Sequence, residues 1–332
     1  MRLAAPRGIS IMIPVMEREV LLRAEGLYRW YGERCAVAGL DLELARGDVL
    51  GLLGPNGAGK TTTLHMLTGN LAPSAGRVTV AGHDLLDEPR AAKAAIGYLP
   101  EQPPLYRELT VGEYLRYCAR LNGIARGRAG EAVRRAMARC GLEGMERRLI
   151  GNLSKGYQQR VGIAQAIIHT PPVVILDEPT VGLDPIQIRE IRELVRELGR
   201  DHAVILSTHI LPEVQMVCSR VEIIHRGRIV WSAAMDALER ELAAGALLVR
   251  LARPPAPGAL ADIPGVEAVE PLGEGRFRLR HAAGASPAEA VAEAAVRGGW
   301  GLLELVPERR SLEQVFVELT TAEEPEGRRE AA

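Results

Sequence analysis

Gly54-Pro55-Asn56-Gly57-Ala58-Gly59-Lys60-Thr61 follows the apolar run Val49 to Leu53 and leads into a helical stretch through Thr62, Leu64, Met66 and Leu67. Glycines in such a loop let successive backbone amides turn inward on phosphate oxygens, and the amino end of the following helix adds partial positive charge. The spacing assigns Lys60 to the β- and γ-phosphates and the Thr61 hydroxyl to a magnesium ion, so Gly54 to Thr62 is read as a nucleotide cradle. Asp177 and Glu178 close a second apolar run, Val173 to Leu176. A carboxylate at that position suits magnesium through its waters, and its neighbour can polarise the water that attacks a γ-phosphate. His209 follows a third apolar run, Ala203 to Ser207, by one residue. The chemistry these groups could perform together is hydrolysis of a nucleoside triphosphate.

The three apolar runs read as buried central strands of a mainly parallel sheet, and ligands in such α/β sheets gather at the carboxyl ends of the strands. The functional residues therefore converge on one edge. Residues 20–243 alternate β-rich runs with helical stretches and form the expected catalytic domain. Between 110 and 151 the texture is helical, with Val111 to Asn122 and Arg128 to Cys140 as the two helices of an insertion. A small α+β unit of ferredoxin-like order is expected over 244–320. Its strands are Leu247 to Leu251, Val266 to Val269, Arg276 to Arg280 and Gly301 to Val306, with a Pro-rich turn at Pro254 to Pro257. Ser286-Pro287-Ala288-Glu289 reads as a serine-capped helix start with a capping box. A last helix, Ser311 to Leu319, places Leu312, Val315, Phe316 and Leu319 on one face, which is expected to pack on the small domain. Residues 1–19 read as a disordered extension or an upstream start, with Met12 or Met16 as the true beginning, and 321–332 as a polar tail.

The 332 residues carry a formal net charge of -1, so bulk charge draws the chain neither to nucleic acid nor to anionic lipid. The four cysteines lack paired spacing, which argues against a zinc site and for a reducing compartment. No run reaches the roughly 18–20 apolar residues needed to span a bilayer.

With the segment Leu153-Ser154-Lys155-Gly156-Tyr157-Gln158-Gln159-Arg160 between loop and carboxylates, residues 20–243 resemble the ATP-binding subunits of ABC transporters. The Leu-Ser-Lys-Gly-Tyr wording and the small carboxyl-terminal unit are most similar to type-2 exporter ATPases of gliding-motility and drug or ion export. The resemblance implies a P-loop fold with a helical insertion, ATP and Mg2+ as ligands, and a second ATP-binding subunit as partner. It also implies a separate transmembrane permease, a place on the cytoplasmic face of the inner membrane, and no nucleic-acid partner. Ser154 and Gly156, with Lys155 and Tyr157, would meet the γ-phosphate held by the opposite subunit, where the family more often has glycine and glutamine at the last two positions named. Lys155 would add positive charge there or point to solvent.

Tyr31 matches the aromatic residue that stacks on adenine, with Trp30 as the competing candidate. Gly182 and Asp184 match the loop through which two subunits sense each other, and His209 matches the switch histidine, which leaves Glu178 and His209 as the catalytic pair. In the coupling loop the family's glutamine is replaced by Glu101, with Gln102 one place later; register favours Glu101. The rival reading is a soluble ABC ATPase acting on ribosomes or nucleic acid. A single cassette and near-zero net charge speak against it.

Overall fold

The computed structural model describes residues 19–238, 245–281, 286–308, 313, 314, 316 and 317. A six-stranded sheet, in the order β10-β9-β3-β8-β7-β6, forms its centre. β3 (Val49–Leu53), β7 (Val173–Asp177) and β8 (Ala203–Thr208) are buried along their whole length, as their unbroken apolar runs require of strands covered on both faces. β6 (Ile96–Leu99), β7, β8, β3 and β9 (Arg220–His225) run parallel, and β10 (Arg228–Ala234) returns antiparallel along β9.

Alternation along these strands sends side chains to two cores. Leu53, Leu176 and Leu206 face a helical layer. Leu52, Ile175 and Ile205 face a second sheet. Each such leucine, withdrawn fully from water, contributes about 1.5–3 kcal/mol. The second sheet, β2-β1-β4-β5, is antiparallel and built from β1 (Val20–Tyr31), β2 (Arg34–Ala45), β4 (Ala75–Val80) and β5 (His83–Asp84). The reading of a mainly parallel sheet holds for the central layer, and this antiparallel layer lies beside it. Its strands alternate buried and exposed positions, because only one face meets the core.

The helical layer includes α3 (Val111–Leu121) and α4 (Arg126–Arg139), close to the bounds expected for the insertion. Thr110 and Glu113 form a capping box at the start of α3: the Thr110 hydroxyl accepts from the Glu113 amide and the Glu113 carboxylate accepts from the Thr110 amide. An antiparallel bridge between Thr110 and Leu149 brings the two ends of the insertion together. α5 (Lys155–Ile167), α6 (Pro185–Asp201) and α7 (Leu211–Val217) complete the layer.

After residue 245 the chain forms a separate four-stranded sheet in the order β12-β13-β11-β14, with every neighbour antiparallel. Its strands are β11 (Ala246–Leu251), β12 (Ala268–Gly273), β13 (Arg276–Arg280) and β14 (Leu302–Glu308). Two helices, Pro257–Ala261 and Ala288–Arg297, give the chain order β-α-β-β-α-β of a ferredoxin-like unit. The Pro-rich turn thus ends in a short helix with Pro257 at its first position, where a missing amide costs nothing.

Ser286 does not cap the second helix. Pro287 occupies the N-cap, no side chain caps it, and the first helical turn closes from the Val291 amide to the Pro287 carbonyl. Phe316 packs against the core of the helical layer rather than that of the small sheet, opposite to the expected direction. Leu312, Val315, Leu319, residues 1–18 and the polar tail lie outside the described residues.

Candidate functional site

The loop between β3 and α1 (Lys60–Leu67) is shaped by glycines at positive φ: Gly57 at 79° and Gly59, the N-cap, at 109°. A Cβ on Gly59 would lie 2.8 Å from the Ala36 carbonyl, and one on Gly54 would strike the Ile224 carbonyl. The loop therefore needs glycine at both places, for conformation at one and for close approach at the other. The first amides of α1 point toward its amino end by helix geometry, and no side chain caps them, as anion binding requires.

Lys60 is only 7% exposed and curls back over the loop. Its Nζ donates to the Gly54 carbonyl at 2.7 Å and stands 3.7 Å from Glu178 Oε1. Burial pulls its pKa down, and the Glu178 and Asp177 carboxylates oppose that pull.

Asp177, the last residue of β7, is 1% exposed and accepts a short hydrogen bond from the Ser207 hydroxyl. Ser207 Oγ in turn accepts from the Glu178 amide at 3.2 Å, so one serine of β8 orients both acids. Glu178 holds a left-handed φ of 46°, a conformation costly for a non-glycine residue and one that turns its carboxylate away from the strand. That carboxylate lies 2.9 Å from His209 Nδ1. An ionised carboxylate only accepts, so Nδ1 carries the proton in this pair.

Lys60, Glu178 and His209 open onto a cleft of about 550 Å³, and Asp177, buried at the end of β7, does not line it. Gly57, Gly59, Thr61 and Thr62 contribute the loop side, together with Asn56 and Lys60; Glu101, Glu178 and His209 lie across from it. Gly54 and Ala58 are buried beneath, and Pro55 is half-buried, positions that support the loop rather than line the cleft. Tyr31 lines the cleft whereas Trp30 does not, and the Arg29 guanidinium covers the Tyr31 ring at 4.8 Å. Glu101 lines it and Gln102 does not.

Arg34 and Ala36 also line this cleft and were absent from the expected set. Arg34 was within reach, since it pairs with Tyr31 across the β1–β2 turn and an aromatic placed there brings its partner along. Oxygen donors dominate the loop and strand ends, which suits a hard divalent cation. Among the described residues no three His, Cys, Asp or Glu side chains cluster to hold a metal. A divalent cation here would have to draw most of its ligands from the oxygens of a phosphate or of water.

A second depression, of about 520 Å³, is lined by Ser154, Gly156, Tyr157, Asp184 and Gln187 among others, and shares no lining residue with the first. Ser154 caps α5, accepting from the Tyr157 amide at 3.4 Å. Asp184 caps α6, accepting from the amides of Ile186 and Gln187. A Cβ on Gly156 would lie 2.6 Å from Gln187 Cδ, so a larger residue there would push the Gln187 side chain aside. The exposed Lys155 side chain reaches the neighbourhood of Gly182.

The sequence pattern of the ABC transporter family matches residues 37–181. The Nod factor export ATP-binding protein I of Rhizobium sp. (strain N33) is 33% identical over 92% of this chain and 98% of its own length. The chain belongs to the ABC transporter family.

The bacitracin transport ATP-binding protein BcrA of Bacillus licheniformis is 36% identical over 66% of this ABC ATPase and 72% of its own length. Among solved structures, an ATP-binding subunit of an ABC transporter shares 32% identity at a TM-score of 0.60, over 67% of this chain and 92% of that one. The cbiO1 subunit from Clostridium perfringens shares 28% at 0.62, over 67% and 92%. These structures cover about two-thirds of this ABC ATPase. Family membership makes the reaction hydrolysis of ATP to ADP and phosphate. No helix among the described residues of this ABC ATPase is long and apolar enough to cross a membrane.

Proposed function

We propose that this chain is the ATP-driven engine of an exporter, working as a dimer on a separately encoded transmembrane permease at the cytoplasmic face of the inner membrane. Two copies, or this chain and a relative, clamp two ATP molecules, each between the phosphate loop of one and the Ser154 segment of the other. The observation that carries this reading is the separation of the two clefts. One chain bears a phosphate cradle with its acids, and elsewhere a capped helix start whose positive end has no triphosphate to meet in its own chain.

In the cleft the Gly54 to Thr62 amides and Lys60 bind the β- and γ-phosphates, and Tyr31, braced by Arg29, offers its ring to the adenine. Thr61 and Asp177 would hold a magnesium ion, which would supply charge neutralisation at the phosphate oxygens. Glu178 takes the proton from the attacking water, and His209, positioned through Nδ1, contacts the γ-phosphate. Glu101 reports the state of that phosphate to the permease through its loop and the helices of 110–151. Closure follows ATP because the γ-phosphate is the one ligand both halves share; its loss removes the differential contact and the halves part. Export is favoured by the similarity to a relative named for Nod factor export.

Two substitutions test the division of labour. Lys60→Ala abolishes ATP binding. Ser154→Arg leaves ATP binding within about twofold of wild type but lowers turnover about 100-fold or more, since it removes only a contact made in the closed state. Loss of ATP binding in Ser154→Arg contradicts the reading.

A further inference from the structure

Beneath the turn that carries His209 lies a carboxylate no step above has used. β8 ends at Thr208 and α7 begins at Leu211, with Glu213 in its first turn. Glu213 is 1% exposed. Its Oε2 accepts the Thr208 hydroxyl at 2.8 Å, and the same hydroxyl oxygen accepts from the Ile210 amide at 3.0 Å. These two bonds bracket His209, fixing the backbone on either side of the imidazole. Glu213 Oε1 has no hydrogen-bond partner and lies 3.7 Å from Arg192 Nη2, on α6. Arg192 also donates to the Met216 sulfur of α7 at 3.2 Å. α6 is the helix whose first turn is capped by Asp184. One ion pair, its carboxylate buried and its guanidinium half-buried, thus ties that helix to the histidine turn.

A carboxylate buried with a single hydrogen bond and a loose ion pair is poorly compensated, and an apolar side chain of similar size would fill the space at lower cost. Stability is therefore not what the charge contributes; geometry is. We propose that Glu213 is a positioning residue for ATP hydrolysis. Acting through Thr208, it holds His209 where its Nδ1 meets Glu178, and Arg192 links that alignment to α6. The inference rests on the reading of Glu178 and His209 as the groups acting on the γ-phosphate.

The test is steady-state ATP turnover by the purified full chain with Mg-ATP. Thr208→Val removes the donor and Glu213→Met the acceptor. Each lowers kcat by about 10- to 100-fold through misplacement of the histidine turn, while KM for ATP stays within about twofold. Thr208→Ser keeps the hydroxyl and stays within about threefold of wild type, and the double variant Thr208→Val/Glu213→Met is no worse than either single one, as residues acting through one bond require. Should Thr208→Val fail to fold, Glu213→Met carries the same comparison. Wild-type kcat in both single variants, a rise in KM that accounts for the loss, or full additivity in the double variant overturns the inference. His209→Ala separates the two layers of the argument. A wild-type rate there overturns the site reading and the inference with it; a strong loss there beside full activity in Thr208→Val and Glu213→Met overturns the inference alone.

Discussion

Glu101 brings a negative charge to the cleft, and it is close enough to raise the affinity of Lys60 for its proton. Gln102, its neighbour, is exposed and lines no part of that cleft. Glu101→Ala therefore lowers ATP turnover by about tenfold, whereas Gln102→Ala stays within about twofold of wild type, measured as phosphate release at saturating ATP. The reverse pattern transfers the role to Gln102. Much at this scale was legible beforehand, because Gly54 to Thr61, Asp177, Glu178 and His209 each sit directly after an apolar strand and their chemistry follows from local spacing. What escaped depends on contacts between distant segments: Ser207 joining the two acids, Arg34 entering the cleft from the β1–β2 turn, and Lys155 reaching the neighbourhood of Gly182. The choice between Tyr31 and Trp30 likewise turned on which of two adjacent residues faces the cleft, since their pleat sends them opposite ways.

β3, β7 and β8 could be read from sequence because burial on both faces demands unbroken apolar runs, and their ends then place the acids and the histidine on one edge. The antiparallel β1, β2, β4 and β5 were less legible: one face of that layer is solvated, and its polar residues break the runs. Helix starts were the weakest point, as Ser286 and the Pro257–Ala261 helix show, where proline rather than a polar side chain decided the boundary.

β9 holds a charge that the sheet tolerates poorly. Glu222 is 5% exposed, its Oε2 has no hydrogen-bond partner, and Arg220 is 3.7 Å away. Burial pushes its pKa up from 4.5 to about 7, against the pull of Arg220. In that interval the folded chain binds a proton that the unfolded chain has released, so stability falls as pH rises from about 4.5 to about 7 and levels off above. Glu222→Gln removes this dependence and gains about 1–3 kcal/mol at pH 8 relative to wild type. Urea midpoints of both proteins at about pH 5 and about pH 8 check it. Parallel shifts in the two proteins would contradict the assignment to Glu222.

At the scale of the whole molecule, one chain carries two clefts that share no lining residue, and its formal net charge of -1 sets up little repulsion between two copies. The central claim is that ATP itself joins the copies, with Ser154 of one against the triphosphate of the other. Glu178→Gln keeps the shape of the acid but cannot take the proton from water, so it holds ATP unhydrolysed. Sedimentation of that variant at micromolar concentration is the most direct measurement. With Mg-ATP the account predicts a dimer that ADP does not support and that adding Ser154→Arg returns to monomer while ATP remains bound. A Glu178→Gln chain that stays monomeric with bound Mg-ATP, or a dimer indifferent to Ser154→Arg, would contradict it.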